Sequence, residues 1–157
     1  MKKLLIVATL AGMASLAPAA PPQSTAAKPL PISIDGLPIG AIPQQELPPS
    51  GCAAFLWSKT QTRALVAMMT SDPAQIRFAP GGTVTDLVRV GQSGPGERGF
   101  VSATDYAGGD YRVRIEMEIV TRGDLTDGAA IPSATMRVDH DGHDSVIVPV
   151  AGLIGCG

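Results

Sequence analysis

The clearest pattern in the chain is an alternation of apolar and charged residues over positions 111–120. Every second residue from Tyr111 to Ile119 is apolar, and the positions between them carry charges, as at Arg112 and Glu116. A period of two is the pattern of a β-strand with one buried and one solvent-facing side. We therefore predict a half-buried strand over this segment.

Seven further runs of apolar and β-branched residues are bounded by Gly, Pro and Asp, which supply the special φ values of tight turns. After the N-terminal apolar run, no window has the 3.6-residue period of an amphipathic helix. Strands in unbroken succession predict an all-β domain, a small antiparallel barrel or sandwich of about 7–8 strands. The predicted strands besides 111–120 are 52–58, 63–70, 75–79, 83–90, 100–104, 134–140 and 143–150.

The N-terminus has the three parts of an export signal in the right order. Lys2 and Lys3 provide a positive start, residues 4–16 are uncharged and mostly apolar, and residues 17–19 are small enough for cleavage. The apolar run of about 13 residues is shorter than the roughly 20 that a membrane helix needs. We therefore predict a signal peptide at 1–19, no membrane span after its cleavage, and a periplasmic or secreted protein.

Residues 20–50 differ in composition, because eight prolines fall there. Pro, Ala, Ser and Thr dominate residues 20–28, which have nothing to bury, so we expect them to be disordered. Residues 30–47 instead interleave prolines with leucine and isoleucine. This part is either a spacer behind the cleavage site or a segment docked on the β domain, which we place at 51–157. The sequence leaves both alternatives open.

The chain has two cysteines, Cys52 and Cys156, one at each end of the predicted domain. In an oxidising compartment such a pair forms a structural disulfide. The alternative is a pair of free thiols, one of them a nucleophile, but neither has a base nearby in sequence and the spacing is not C-x-x-C. We predict one end-to-end disulfide. It would close a loop of about 105 residues and stabilise the domain by roughly 4–5 kcal/mol in the chain-entropy model.

Both histidines of the chain lie in the segment D-H-D-G-H-D at 139–144. Asp141-Gly142 between two strand-like runs predicts a two-residue hairpin. His140 and His143 would then face each other with Cβ atoms about 5.5 Å apart. Two imidazoles at that distance could hold one edge of a Zn²⁺ or Cu²⁺ site, with Asp141 as the nearest further ligand. The alternative is a polar hairpin tip that its charges keep in solvent.

The composition excludes several classes of function. Without Lys2 and Lys3 the chain has 10 basic against 14 acidic residues, a formal net charge of −4, and the basic residues are scattered, so nucleic acid is not an expected partner. Asn is absent, so there is no N-glycosylation site, as is usual for a bacterial secretory protein. Residues 94–99 match G-x-G-x-x-G, but a β-like run follows where a dinucleotide site needs a helix. We expect no cofactor and no catalytic residue.

Three segments, Leu37-Pro38-Ile39-Gly40, 47–57 and 148–156, resemble the beginning and the end of small exported bacterial β-domain proteins that have no assigned activity. In size, export and disulfide, the chain is also similar to the periplasmic inhibitors of C-type lysozyme, which are small β-barrels. The residues of their inhibitory loop have no match in this chain, so the resemblance carries no site residue with it.

We therefore expect an exported, non-enzymatic β domain that binds another envelope protein or a small ligand through loops at one end. The glycine-rich stretches 91–99 and 123–130 are the candidate loops. Two alternatives are a periplasmic inhibitor of a hydrolase such as lysozyme, and a metal-binding or hydrolytic protein centred on His140 and His143. We expect Trp57 in the core, because it alternates with Phe55 on the first strand.

Overall fold

The computed structural model describes residues 29–157, so the predicted signal peptide and residues 20–28 lie outside the described part of the chain. The described residues form nine β-strands. Within the same range, no helix has the length and apolar character needed to cross a membrane. The strands are β1 (Ile39–Gly40), β2 (Cys52–Ser58), β3 (Leu65–Thr70), β4 (Gln75–Pro80), β5 (Thr85–Glu97), β6 (Phe100–Gly108), β7 (Tyr111–Met117), β8 (Gly128–His140) and β9 (Val146–Cys156).

Strands β2 to β9 form one closed antiparallel barrel. Each pairs with the next strand in the sequence, and β9 returns to pair with β2. Closure gives every strand a neighbour on both sides over part of its length, which protects the backbone groups that an open edge would expose. The prediction of an all-β antiparallel domain of about 7–8 strands is confirmed, and of the two architectures it is the barrel that forms.

The barrel interior is filled by every second side chain of its strands. Along β7, Val113, Ile115 and Met117 are buried while Arg112 and Glu116 face solvent, as the alternation predicts. Because apolar side chains from all eight barrel strands meet inside, they form one continuous core. Its largest fully buried members on the barrel strands include Leu56, Met69, Ile76, Phe78, Leu87, Ile115, Ile131 and Met136.

All eight strands predicted in the domain are present, but several have different ends. β5 continues to Glu97 and β8 begins at Gly128, whereas the predicted strands end at 90 and begin at 134. The prediction of a loop over 91–99 is wrong, because residues 91–97 form the second half of β5 and residues 98–99 form the turn into β6. Glycine suits this strand for a steric reason: a Cβ on Gly96 would lie 2.6 Å from the carbonyl oxygen of Phe100 on β6.

Cys52 and Cys156 are direct partners on the β2–β9 ladder and are joined by a disulfide, as predicted. Backbone hydrogen bonds surround the bond. The N–H of Gly157 donates to the carbonyl of Gly51, and the N–H of Ser71 donates to the carbonyl of Cys52, each at 3.0 Å. The disulfide therefore lies on the seam where the last strand closes against the first.

The connections between strands alternate between the two ends of the barrel. One end contains the disulfide, the turns 71–74 and 98–99 and the connection 118–127, and we call it the disulfide end. The other end contains the connections 59–64, 81–84, 109–110 and 141–145. We call it the histidine end, because both histidines of the chain lie there.

Residues 31–49, which we call the strap, precede the barrel and pack against it. β1 pairs antiparallel with the end of β4. Ile34 and Ile39 are buried in the main core, whereas Ile42 packs on the outer side of the barrel against Ala53 and Met68. Between the two alternatives for this segment, the packing over 34–42 is that of a docked strap and not of a free spacer.

Asp35 fastens the strap to the histidine end. Its carboxylate accepts hydrogen bonds from the N–H of Thr62 at 2.8 Å and from the hydroxyl of Thr62 at 2.6 Å. Hydrogen bonds from Thr60 and Thr62 lower the pKa of Asp35, because they favour the ionised carboxylate. This contribution to stability is present above the ordinary carboxyl pKa and is lost as the pH falls through the lowered value.

Replacing both cysteines with alanine is expected to lower the free energy of unfolding by about 2–5 kcal/mol, because the unfolded chain regains conformations that the cross-link removes. Urea unfolding of the Cys52→Ala/Cys156→Ala variant and the wild type measures the difference. Dithiothreitol is the control, since it should destabilise the wild type and leave the variant unchanged. Equal stability of both proteins with and without reductant would contradict the prediction.

Truncating a buried isoleucine of the strap tests whether the strap contributes to stability. Ile42→Ala is expected to cost about 2–5 kcal/mol of unfolding free energy, the usual range for a buried isoleucine. Ile42 is 2% exposed and Ile32 is 70% exposed. Ile32→Ala is therefore the matched control, with an expected change within about 0.5 kcal/mol. The docked strap is refuted if urea unfolding gives the same small change for both variants.

Candidate functional site

A cavity of about 210 Å³ opens at the histidine end of the barrel. The strap and β4 line one side of it, β7 and β8 line the other, and the connection into β9 forms the rim. The lining is apolar except for two imidazoles, a phenol and one carboxylate. Its residues are Pro38, Ile39, Pro80, Gly81, Tyr111, Val138, His140, His143, Asp144 and Val146.

Three rings stack in a column beside this cavity. Tyr111 and His140 are direct partners on the β7–β8 ladder, and their ring centroids lie 4.3 Å apart at an interplanar angle of 13°. The ring of His143 continues the column, 4.3 Å from that of His140 and at 7° to it. Tyr111 also makes a T-shaped contact with buried Phe78, with ring centroids 5.8 Å apart at an interplanar angle of 80°. The column is thus anchored in the core at one end and exposed at His143 at the other.

A tight turn brings His143 back onto His140. The N–H of His143 donates to the carbonyl of His140 at 3.0 Å. Of the two central residues of this turn, only Gly142 has a positive φ, 79°, and this is the pattern of a type II turn. The predicted two-residue hairpin is wrong, because the last β8–β9 ladder pair is Val138 with Val146, which leaves residues 139–145 outside the β8–β9 ladder. The two histidines therefore stack within one turn, three residues apart, and do not face each other across a ladder.

A second set of contacts holds the connection that carries His143. The carboxylate of Asp139 accepts hydrogen bonds from Nε of Arg137 at 3.0 Å and from the hydroxyl of Ser145. The bonds from Arg137 and Ser145 lower the pKa of Asp139. In addition, the N–H of Asp141 donates to the carbonyl of Asp110 at 3.0 Å. The connection is therefore tied to β8 and to the turn between β6 and β7.

The hypothesis of a metal site proposed His140, His143 and Asp141 as ligands. The structure brings the two imidazoles together, but as nearly parallel rings, whose nitrogen lone pairs lie in the ring planes and do not converge on one point. The carboxylate of Asp141 lies 3.6 Å from the guanidinium of Arg112. Over residues 29–157, no three His, Cys, Asp or Glu side chains form a group that could hold a metal. The metal site therefore stays a prediction, and the three proposed ligands do not form a coordination site in this structure.

Two other predicted features lie elsewhere. The stretches 91–99 and 123–130 both reach the disulfide end, so neither takes part in the histidine-end cavity. Trp57 is not in the core as expected: the inward positions of β2 are Ala54, Leu56 and Ser58, and Trp57 is 39% exposed on the outer face. It lines a groove of about 330 Å³ that is more open to solvent than the histidine-end cavity.

The sequence points to the two histidines of this cavity but gives no direct sign of its other walls. One signal for Tyr111 is present, since Tyr111 begins β7 and His140 ends β8. Neighbouring antiparallel strands place such ends side by side. Pro38 and Ile39 reach the cavity only because the strap docks, and the composition of the strap leaves its docking undecided.

No protein-family model, no curated protein and no solved structure matches this chain. The function therefore has to be inferred from the residues of the chain itself. Within residues 29–157, the histidine-end cavity combines a mostly apolar lining with two imidazoles, a phenol and a carboxylate.

The turn that places His143 can be tested with two glycine substitutions. A Cβ on Gly142 would contact nothing within 4 Å, but its φ of +79° strains any other residue, so Gly142→Ala is expected to cost about 1–2 kcal/mol. Gly123 has the same open surroundings without a positive φ. Gly123→Ala is the control, expected within about 0.5 kcal/mol of the wild type. Urea unfolding measures both, and equal effects would show that the turn does not require glycine.

Proposed function

We propose that the protein is an exported, non-enzymatic binding protein that holds a small apolar ligand in the histidine-end cavity. The observation that carries this proposal is the cavity itself, in which apolar side chains of the strap and the barrel surround a few polar groups. The signal-like sequence at 1–19 supports export, and so does the disulfide, since such bonds persist in oxidising compartments.

The size of the cavity suits a ligand with one ring or a short aliphatic chain. A protein cavity of about 150 Å³ lined by apolar side chains binds benzene. The histidine-end cavity, at about 210 Å³, has room for such a ring and one substituent. A ligand of this size buries little surface but loses its translational and rotational freedom on binding. Its Kd is therefore expected to be about 1 mM.

The cavity walls are held in place by contacts within the protein. Tyr111 packs against buried Phe78, and the carboxylate of Asp139 near the end of β8 accepts hydrogen bonds from Arg137 of β8 and from Ser145 of the connection into β9. Asp35 holds the strap to Thr62 beside the same end of the barrel. A preformed site favours binding, because fewer groups lose freedom when the ligand arrives.

The surroundings of the histidines favour binding over catalysis. In a hydrolytic site a nucleophile is hydrogen-bonded to a base, and a third group orients that base. Here the hydroxyl of Ser145, the nearest one in sequence, donates to Asp139 and accepts from Arg137. Within residues 29–157, His140 and His143 contact other side chains through the stacked rings of the column. These imidazoles are arranged as a wall and not as a base paired with a nucleophile.

Benzyl alcohol is a suitable neutral probe, followed by ¹H–¹⁵N chemical shifts of the labelled protein. We expect saturable shifts confined to residues around the cavity. Val146→Phe fills the cavity and should weaken binding by about tenfold or more, because the ring takes the place of the ligand. Ile147→Phe is the matched control, since Ile147 is 61% exposed and points away from the barrel interior on the same strand.

The result that would overturn the proposed function is an absence of saturable shifts in the wild type, or equal binding by Val146→Phe and Ile147→Phe. Thermal unfolding of both variants confirms that each remains folded. If Val146→Phe unfolds, the smaller substitution Val146→Leu takes its place in the comparison.

A further inference from the structure

We infer that the histidine-end cavity selects organic cations, namely amines that carry one apolar or aromatic group. This inference rests on the proposed function, because it names the class of ligand for the same cavity. It follows from the charge and the hydrogen-bonding groups at the rim, which are independent of the apolar volume.

The cavity carries a carboxylate that forms no ion pair with the side chains of residues 29–157. Besides the two histidines, Asp144 is the one residue of an acidic or basic type that lines the cavity, and no Lys or Arg accompanies it. The neighbouring acids have partners within the described residues: Asp139 is paired with Arg137 at 2.9 Å and Asp141 with Arg112 at 3.6 Å. Asp144 is in none of the ion pairs among residues 29–157. A ligand with a positive charge would supply that partner.

The polar groups of the rim can all accept hydrogen bonds. A carboxylate has acceptors alone, whereas an imidazole and a phenol also have donors. Asp144, His140 and His143 line the same cavity, and the turn from His140 to His143 keeps them within five residues of one another. An ammonium group has three donors and no acceptor. It therefore suits the carboxylate of Asp144 better than a hydroxyl does, whereas a carboxylate ligand would be repelled by the same charge.

The apolar part of the ligand has a separate place to lie. Ile39, Pro80, Val138 and Val146 are apolar lining residues of the cavity. The first three are buried, and Val146 is half-buried against the core. An amine on an apolar group thus has its charge near the solvent-exposed Asp144 and its hydrocarbon against these side chains. Because the carboxylate is exposed, the gain from its charge is modest, as for other solvent-exposed ion pairs.

Three probes of nearly the same shape separate this inference from the proposed function: benzylamine, benzyl alcohol and benzoate. The same ¹H–¹⁵N titration at neutral pH and low salt measures their dissociation constants. We expect benzylamine to bind about threefold or more tightly than benzyl alcohol, and benzoate to bind more weakly than both. Added salt should reduce the advantage of benzylamine and leave benzyl alcohol unchanged.

Two substitutions in the same connection assign the effect to one carboxylate. Asp144→Asn should remove the preference for benzylamine over benzyl alcohol while the affinity for benzyl alcohol stays the same. Asp141→Asn is the matched control, because Asp141 is paired with Arg112 and does not line the cavity, and it should keep the preference.

The possible failures are distinct. If benzyl alcohol binds and benzylamine binds no better, or if Asp144→Asn keeps the preference, the cation inference is wrong and the proposed function stands. Tighter binding of benzoate would likewise overturn the inference alone. If none of the three probes gives saturable shifts at the cavity, both the inference and the proposed function fall.

Discussion

The pairing of β2 with β9 converts a row of eight strands into a closed barrel, and the Cys52–Cys156 bond fixes that pairing at its last rung. Without this seam the two strands would be edges with unpaired backbone groups and a half-exposed apolar face. The covalent bond and the ladder reinforce each other, because the residues that it joins are already opposite in register. The free energy of unfolding of a domain of this size is only about 5–15 kcal/mol, so the disulfide and the β2–β9 ladder together contribute a large part of it.

The cavity at the histidine end depends on segments outside the barrel strands, namely the strap and the connection into β9. A barrel interior of eight strands is filled by its own side chains, so room for a ligand arises only where the strands end. There the strap adds Ile39 from outside the barrel, and the connection into β9 folds back so that His143 stacks on His140 at the end of β8. The hydrogen bonds of Asp35 and Asp139 stabilise these two additions. The site is thus built from the least regular parts of the chain on a regular support.

Local sequence predicts the barrel well because alternation and turn residues act within a few positions, as along β7. Local sequence does not predict a turn whose geometry depends on contacts with a distant part of the chain. Two of the three Asp-Gly dipeptides lie at the centre of a four-residue turn and differ in backbone. Asp35-Gly36 has φ values of 51° and 82° and closes the small bridge between Ile34 and Leu37, whereas at Asp141-Gly142 Gly142 alone has a positive φ. The second turn differs because Asp141 bonds to Asp110 on another hairpin, which no local pattern records.

The strap also gives the molecule a direction. Gly82 at the histidine end lies against Ile32 of the strap, whereas Gly157 follows the disulfide at the opposite end. The beginning of the strap therefore lies beside the mouth of the cavity, and the carboxyl terminus lies a barrel length away. Immobilising the protein through its C-terminus would leave that mouth facing the solution.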